Sequence, residues 1–322
     1  MNCKIILLMS LMCPALINSL HVVAQSYPSK PVRLIVAYAP GGGTDAVARL
    51  VGQQLFEALG QQVVIDNRAG AQENIGTAAV ARAPADGYTI LFSDFGLLAI
   101  NPWVYNDVGF DPIKDFAQIG LVDTFPQIVV AHPGVPATNL KELAALAKAK
   151  PDRIVLAYAG VTGQLAGELF SILAGVKMLQ VPYKGGGDAV TALLGGHVDV
   201  MIVIAPSAVP MVKAGKLRAI AVTGLTRLPS IPDVLTSKES GFPDFEVIGW
   251  HGLAAPANTP KDVVTRLNRD LNNVLRMPSV KDSFVARGFE AKSNSPEEMT
   301  NFVKSEHDRW GKVVKTAGIR AH

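Results

Sequence analysis

Arg33-Leu34-Ile35-Val36-Ala37-Tyr38-Ala39-Pro40-Gly41-Gly42-Gly43-Thr44-Asp45 carries an apolar strand through three glycines into a helix expected to start at Thr44 or Asp45. Residues 34–37 are apolar without alternation, the pattern of a strand buried on both faces. Beyond the glycines, Ala46, Val47, Leu50, Val51, Leu55 and Leu59 recur at helical spacing, and Gly60 stands where a C-terminal cap belongs. A strand, a loop without side chains and a helix N-terminus together present unpaired N–H groups and a positive dipole end, which suit a small anion. A small-molecule site at this loop is the leading expectation.

Two other motifs use similar residues. A phosphate-cradling P-loop needs Lys and then Ser or Thr after its last glycine, but Gly43 is followed by Thr44-Asp45, which argues against NTP hydrolysis. Gly41-x-Gly43-x-x-Ala46 fits a relaxed dinucleotide fingerprint, and Asp66 ends the apolar run Val63-Val64-Ile65 where a ribose-binding acid would fall. An NAD(P)-dependent oxidoreductase is therefore the alternative reading. A tight strand-to-helix turn with no ligand would use the same glycines.

The first 24 residues decide the compartment. Lys4 is their only charge, an apolar run extends from Ile5 to Leu20, and Val22-Val23-Ala24 puts small residues before a cut at Gln25. This predicts a secretory signal peptide and a periplasmic protein. A membrane anchor would need about 20 apolar residues in a row, and Pro14 and Asn18 interrupt this run. Cys3 and Cys13 both lie in the leader, so the mature chain has no disulfide and no thiol nucleophile. Removing 24 of 322 residues leaves 298, ample for two domains held by their cores. With Lys4 gone, 29 basic residues face 27 acidic ones, a charge of +2 without basic runs, which excludes a nucleic-acid footprint. Nicotinamide dinucleotides are cytoplasmic, so export weighs against the oxidoreductase.

Along the chain the order strand, helix, strand continues through Gln62–Asp66, a helix over 77–82 and a strand over 88–93 after the Asp86-Gly87 turn. Ligands of such parallel sheets bind beyond the carboxyl ends of the strands, so the loops at 40–45, 70–76 and 93–96 should share one rim. A second α/β unit begins near Phe125-Pro126 with a strand over 127–131. There Asn139 and Glu142 form a capping-box pattern for a helix that Pro151 ends. The strand–glycine–helix device recurs at Ala159-Gly160-Val161-Thr162-Gly163 and at Tyr183-Lys184-Gly185-Gly186-Gly187, and strands over 200–205 and 217–222 complete this unit. From about Glu246 come a strand at 247–250 and three helices, two of them with N-termini marked by Thr259-Pro260 and Ser295-Pro296-Glu297-Glu298. Met299, Phe302, Val303, Trp310, Val313 and Val314 on the last helix should pack against the first lobe. Two α/β lobes with glycine loops aimed at a shared crevice describe a clamshell with an interlobe cleft. The expected division is lobe 1 at 25–124 and 246–322, and lobe 2 at 125–245.

No catalytic constellation is evident. His132, His197, His251, His307 and His322 are dispersed, none in a metal-ligand spacing, and each reads as an ordinary surface or core histidine. There is no G-x-S-x-G elbow, and Glu297-Glu298 are accounted for by helix capping. Neither enzymatic activity, metal nor cofactor is expected.

The chain resembles the extracytoplasmic substrate-binding receptors of tripartite tricarboxylate transporters. The similarity spans nearly the whole mature sequence. It is carried by Ala39-Pro40-Gly41-Gly42-Gly43-Thr44-Asp45, Asp66-Asn67-Arg68, Asn74-Ile75-Gly76, Asp86-Gly87-Tyr88-Thr89, Val181-Pro182-Tyr183-Lys184-Gly185 and Trp250-x-Gly252-Leu253-x-Ala255-Pro256. The resemblance implies a two-lobed periplasmic-binding-protein fold of type II. It implies capture of a small carboxylated solute through backbone N–H groups, helix ends and waters, and delivery to membrane permease subunits, with the receptor itself a monomer. The ligand residues it implies are Tyr38, Gly41, Gly42, Gly43, Thr44 and Asp45 on the first loop, and Asn74, Ser93 and Asp94 on the neighbouring rims. The second lobe would add Ala159, Gly160, Thr162, Gly163, Gln164, Tyr183, Lys184 and Gly185. Two departures stand out. Gln72 and Glu73 replace glycines before Asn74-Ile75-Gly76, and an acidic Asp94 follows Ser93. Charged loop residues ordinarily point to solvent. If one of these acids faces the cleft instead, it would repel a dianion and favour an acid that bears an ammonium, amide or hydroxyl donor.

Overall fold

The computed structural model describes residues 27–41, 43–70, 73–183 and 186–319. The expected signal peptide lies outside the described residues, as do Gly42, Gln72, Lys184, Gly185 and His322. The first half-domain is β1 (Val32–Val36), α1 (Gly43–Leu59), β2 (Val63–Asn67), α2 (Asn74–Ala81) and β3 (Thr89–Asp94). β1 lies between β2 and β3 and runs parallel to both. Leu34, Ile35 and Val36 are buried, as a strand covered on both faces requires. α1 ends at Gly60, whose φ of 66° admits a left-handed cap and whose N–H donates to the Phe56 carbonyl at 2.9 Å. α1 starts at Gly43, one residue earlier than the sequence suggests. A π-helical turn at Gly96–Ile100 and the short helix α3 (Asn101–Val104) follow β3, and neither has a periodicity that would announce it.

β4 (Phe116–Ala131) has 16 residues, of which only the last five read as strand. Gly120, Asp123 and Pro126 interrupt the apolar pattern of the rest, and such residues ordinarily mark loops. They are tolerated because β9 (Ile248–Pro256) pairs antiparallel along this stretch, with irregularities in register near Gly120 and Asp123. Beyond Pro126, β4 pairs with β7 (Val200–Ile204) and β8 (Arg218–Val222), both antiparallel. Helices α4 (Leu140–Ala149), α5 (Gly160–Ala174), α6 (Gly186–Leu194) and α7 (Ala205–Lys213) surround this second part of the sheet, in which β5 (Val155–Ala159) is parallel to β6 (Leu179–Tyr183) and β7. Asn139 caps α4 by accepting the Glu142 N–H at 3.0 Å, but the Glu142 carboxylate accepts from the Thr138 N–H at 2.7 Å, one residue before the expected return partner.

The chain ends with α8 (Lys261–Arg276), α9 (Pro278–Ala286), β10 (Glu290–Ala291) and α10 (Pro296–Ala317). Ser295 and Glu298 complete a reciprocal capping box at the start of α10. All strands join one curled sheet in the order β2-β1-β3-β9-β4-β7-β5-β6, with β8 and β10 attached to β4. β4 and β9 thus cross between two α/β halves. α10 packs on the π-helical turn and β4 of the first half, as expected, and also reaches α5 of the second.

Candidate functional site

The carboxyl ends of β1, β3, β5 and β7 converge on a cleft of about 650 Å³. Its first wall holds Tyr38, Thr44, Asp94 and Phe95; its second holds Ala159, Thr162, Gly163, Gly187 and Ser207; Phe125, Gln127, His251 and Phe289 lie where the strands cross. A larger hollow of about 870 Å³, beside His132, Lys150, Arg153 and Asp199, lies at the amino ends of β5 and β7. In parallel sheets that is the end away from ligands, so the smaller cleft is the candidate.

Of the residues the sequence nominates, Tyr38, Thr44, Asp94, Ala159, Thr162 and Gly163 meet in this cleft. Gly160 is the first residue of α5. Gly41 is exposed at φ 92°, and Gly43 starts α1, where an added Cβ would lie 3.7 Å from the Ile204 side chain.

Five of the nominated side chains among the described residues lie outside the cleft lining. Asp45 is buried and spent on its own loop. It accepts from the Gly41 N–H at 2.9 Å, the Arg49 Nε–H at 2.9 Å and Asn67 Nδ2 at 2.9 Å. Burial would raise its carboxyl, but these donors outweigh it and hold the group below the usual carboxylate range. Asn67 also donates to the Tyr38 carbonyl at 3.0 Å, so Asp45 and Asn67 together fix the glycine loop. Asn74 faces a separate hollow with Tyr105 and Arg82, where its Oδ1 accepts from Asn101 at 3.1 Å. Ser93 is fully buried, pairs with Gly252 across β3 and β9, and its hydroxyl finds no partner among the described residues. Tyr183 is partly buried and packs against the core of the second lobe. Gln164, partly exposed on α5, is not among the cleft-lining residues.

The expectation that acidic loop residues face solvent fails for Asp94. Its carboxylate is 4% exposed, accepts the Tyr38 hydroxyl and the Leu97 N–H, the latter at 2.9 Å, and lines the cleft. Burial pushes its pKa up despite the opposing pull of His251 and of these donors. Glu73 precedes α2 with φ 69° and stands half-buried behind Asp94; burial first, then the Asp94 charge, push it up to about 7.

Sequence reasoning missed His251. It is 2% exposed, its Nδ1–H donates to Asp123 Oδ1 at 2.8 Å, and its Nε2 lies 3.3 Å from Thr44 Oγ1. The rings of Phe125 and Phe92 stand 4.8 and 5.1 Å away, with Phe289 at 5.9 Å. Burial disfavours the imidazolium, but the Asp123 charge and hydrogen bond, with Asp94 beyond, raise its pKa above the ordinary value. Asp123 lies 128 residues before His251 in the chain, so no local motif joins them.

The shifts of Glu73, Asp94 and His251 share one sign in stability. Between pH 4.5 and about 7 the folded chain keeps a proton on Glu73 that the unfolded chain has released, so stability falls as pH rises, and Asp94 acts likewise. His251 contributes stability that is present below its unfolded value of 6.5 and is lost as pH rises through the folded one. The unliganded protein is therefore expected to have a higher urea midpoint at pH 5.5 than at pH 8, with a shallower decline in Glu73→Gln. A flat or rising midpoint would contradict the buried placement of these groups.

A cleft between two α/β lobes joined by crossing strands defines a solute-binding protein of the periplasmic clamshell class. Residues 47–319 match the tripartite tricarboxylate transporter family receptor, and the chain belongs to that family. It is 37% identical over 301 residues to a UPF0065 protein from the tcbD-tcbE intergenic region of Pseudomonas sp. strain P51, covering 92% of this chain and 89% of that one. It is 35% identical to Protein BugT of Bordetella pertussis over 93% of each chain. Among solved structures it is similar to R. palustris Rpa4515 with adipate, with TM-score 0.83, 36% identity and coverage of 91% of this chain and 99% of that one. MatC from Rhodopseudomonas palustris with bound malate superposes with TM-score 0.79 at 31% identity, covering 89% and 100%. The family and these neighbours are receptors, and the oxidoreductase alternative finds no support among them.

Proposed function

We propose that this receptor captures a small organic acid bearing a hydrogen-bond donor, such as an amino acid or a hydroxylated or aromatic acid, rather than citrate. The observation that carries this reading is Asp94, a carboxylate inside the cleft where a second ligand carboxylate would be repelled. Adipate and malate in similar receptors support an acid ligand. The start of α1 at Thr44 suits one carboxylate, and the rings of Phe95, Phe125 and Phe289 in the cleft lining suit an apolar body. Cleavage before Gln25 would release the chain into the periplasm, where it would act as a monomer handing the solute to permease subunits. Gly42, Lys184 and Gly185, implied by the family resemblance, complete the proposed ligand set with Gly41 and Gly43. The lobe limits are 25–124 with 246–322, and 125–245.

Thermal-shift screening of the mature protein against amino, hydroxy, aromatic and plain di- and tricarboxylic acids should give a saturable rise for a few compounds. At 100 times the dissociation constant the stabilisation should be about 2.7 kcal/mol. Tight citrate binding by wild type that is unaffected by Asp94→Asn would refute the donor-bearing class, and stoichiometric conversion of the best binder into product would refute a pure receptor.

A further inference from the structure

Asp94, His251 and Asp123 sit side by side across three adjacent strands. Asp94 of β3 pairs with His251 of β9, and His251 pairs with Asp123 of β4. Residues directly opposite on neighbouring strands share one face of the sheet with their Cβ atoms roughly 4.5–5.5 Å apart. Here that face is the floor of the cleft, lined by Asp94 and His251, with Asp123 wholly buried behind. His251 is the only side chain among the described cleft-lining residues that can carry a positive charge.

The hydrogen bonds of this row give Thr44 a direction. Asp123 can only accept, so it holds a proton on His251 Nδ1 in either charge state. When His251 is neutral, its Nε2 accepts from the Thr44 hydroxyl, and Thr44 offers the cleft only lone pairs. When His251 is protonated, its Nε2–H donates to Thr44 Oγ1, and the Thr44 proton is free to point into the cleft. The hydroxyl therefore welcomes a ligand carboxylate only while His251 is charged. Beside it, Asp94 already accepts from Tyr38 and from the Leu97 N–H, and keeps acceptor capacity toward the cleft for one further donor.

We infer that the Asp123–His251–Thr44 relay receives the ligand's carboxylate and that Asp94 receives an ammonium or hydroxyl on a carbon next to that carboxylate, so that the preferred solute is an α-hydroxy or α-amino acid bound in step with protonation of His251. Asp94 lies one strand from His251, and Thr44 Oγ1 lies 3.3 Å from His251 Nε2, so the two recognition groups share one corner of the cleft, which suits a carboxylate and its α-substituent rather than donors at the far end of a long acid. The inference rests on the solute-binding reading above. The charged and titratable groups facing His251 are Asp123 from β4 and Asp94 from β3, with Tyr38 and Glu73 behind Asp94; α1 contributes the uncharged Thr44.

The test is calorimetric titration from pH 6 to 9 with two matched pairs, malate against succinate and phenyllactate against 3-phenylpropionate. Above about pH 7 all of their carboxylates are ionised, so a pH dependence there belongs to the protein. Within at least one pair the hydroxy acid should bind at least tenfold more tightly, and its affinity should fall with pH, approaching tenfold per unit above the His251 pKa, as expected for one linked proton. Asp94→Asn should remove the preference for the hydroxy acid. His251→Gln and, as a variant at the half-buried start of α1 that leaves the buried pair intact, Thr44→Val should each weaken binding and flatten the pH profile. Glu73→Gln, which removes the other group titrating near neutrality, should leave the profile in place. Equal binding within both pairs, or a pH profile that persists in Thr44→Val and His251→Gln or disappears in Glu73→Gln, would overturn the inference while leaving the receptor reading standing. Failure of all four acids and of the wider acid screen to bind at any pH would instead remove the reading on which it rests.

Discussion

Alanine in place of Trp250 is expected to destabilise the protein by about 3–5 kcal/mol, the cost of emptying a large aromatic site that cannot collapse. Trp250 is fully buried on β9, between β3 and β4, and its ring meets Phe302 of α10 edge-on with centroids 5.4 Å apart. Because side chains alternate along a strand, Trp250 points to the face opposite His251, and its loss should act through stability rather than through direct ligand contact. Its indole N–H is buried without a partner among the described residues, so Trp250→Phe removes an unsatisfied donor along with some carbon and should cost much less than alanine. Urea unfolding of both variants checks this. A phenylalanine variant as unstable as the alanine one would mean that the indole N–H has a partner after all.

A single methyl group at Gly249 is expected to have the second largest effect. Its Cβ would lie 2.1 Å from Cε2 and 2.4 Å from Cζ of Phe125, the residue paired with it on β4. The Phe125 ring cannot retreat freely, since it packs edge-on against Phe95 and Phe289 at 6.0 and 5.3 Å and lies 4.8 Å from His251. Gly249→Ala should therefore cost about 1–3 kcal/mol, the usual range for overpacking a filled core. Phe125 also lines the cleft, so ligand affinity should drop at least about tenfold, or ~1.4 kcal/mol. Shortening the clashing ring in Gly249→Ala/Phe125→Leu should recover part of the stability, and a double-mutant cycle measures the coupling. Strict additivity of the two changes would show that the ring is not what glycine accommodates.

The acid-side stability expected from Glu73, Asp94 and His251 and the ligand linkage expected from His251 oppose different things and can be separated. Glu73 is half-buried behind Asp94 and outside the cleft lining, so its substitution should alter the unliganded protein's pH profile without removing the proton linkage of binding. Thr44 has no ionisable group, so its substitution should do the reverse.

Much of the architecture is determined by the sequence alone because it rests on local rules. The unbroken apolar run at 34–37, the helical spacing from Ala46 to Leu59 and the left-handed Gly60 need no distant partner to be recognised, and each forms within a residue or two of its expected limits. The capping box at Ser295 and Glu298 is equally local. Tyr38, Thr44, Thr162 and Gly163, which the family resemblance implies as ligand residues, line the cleft because they follow strands whose carboxyl ends face it in a parallel sheet. Only the tertiary structure decided the rest. Phe116–Pro126 becomes strand because β9 pairs with it from more than a hundred residues away, overriding Gly120, Asp123 and Pro126. Asp45 and Thr44 are neighbours in one helix turn, yet helix rotation gives the acid to the loop and the hydroxyl to the cleft. Asp94, His251 and Asp123 are scattered in the chain and each is unremarkable alone; the register of three strands sets them in one row, and cross-strand register between distant segments leaves no trace in local sequence.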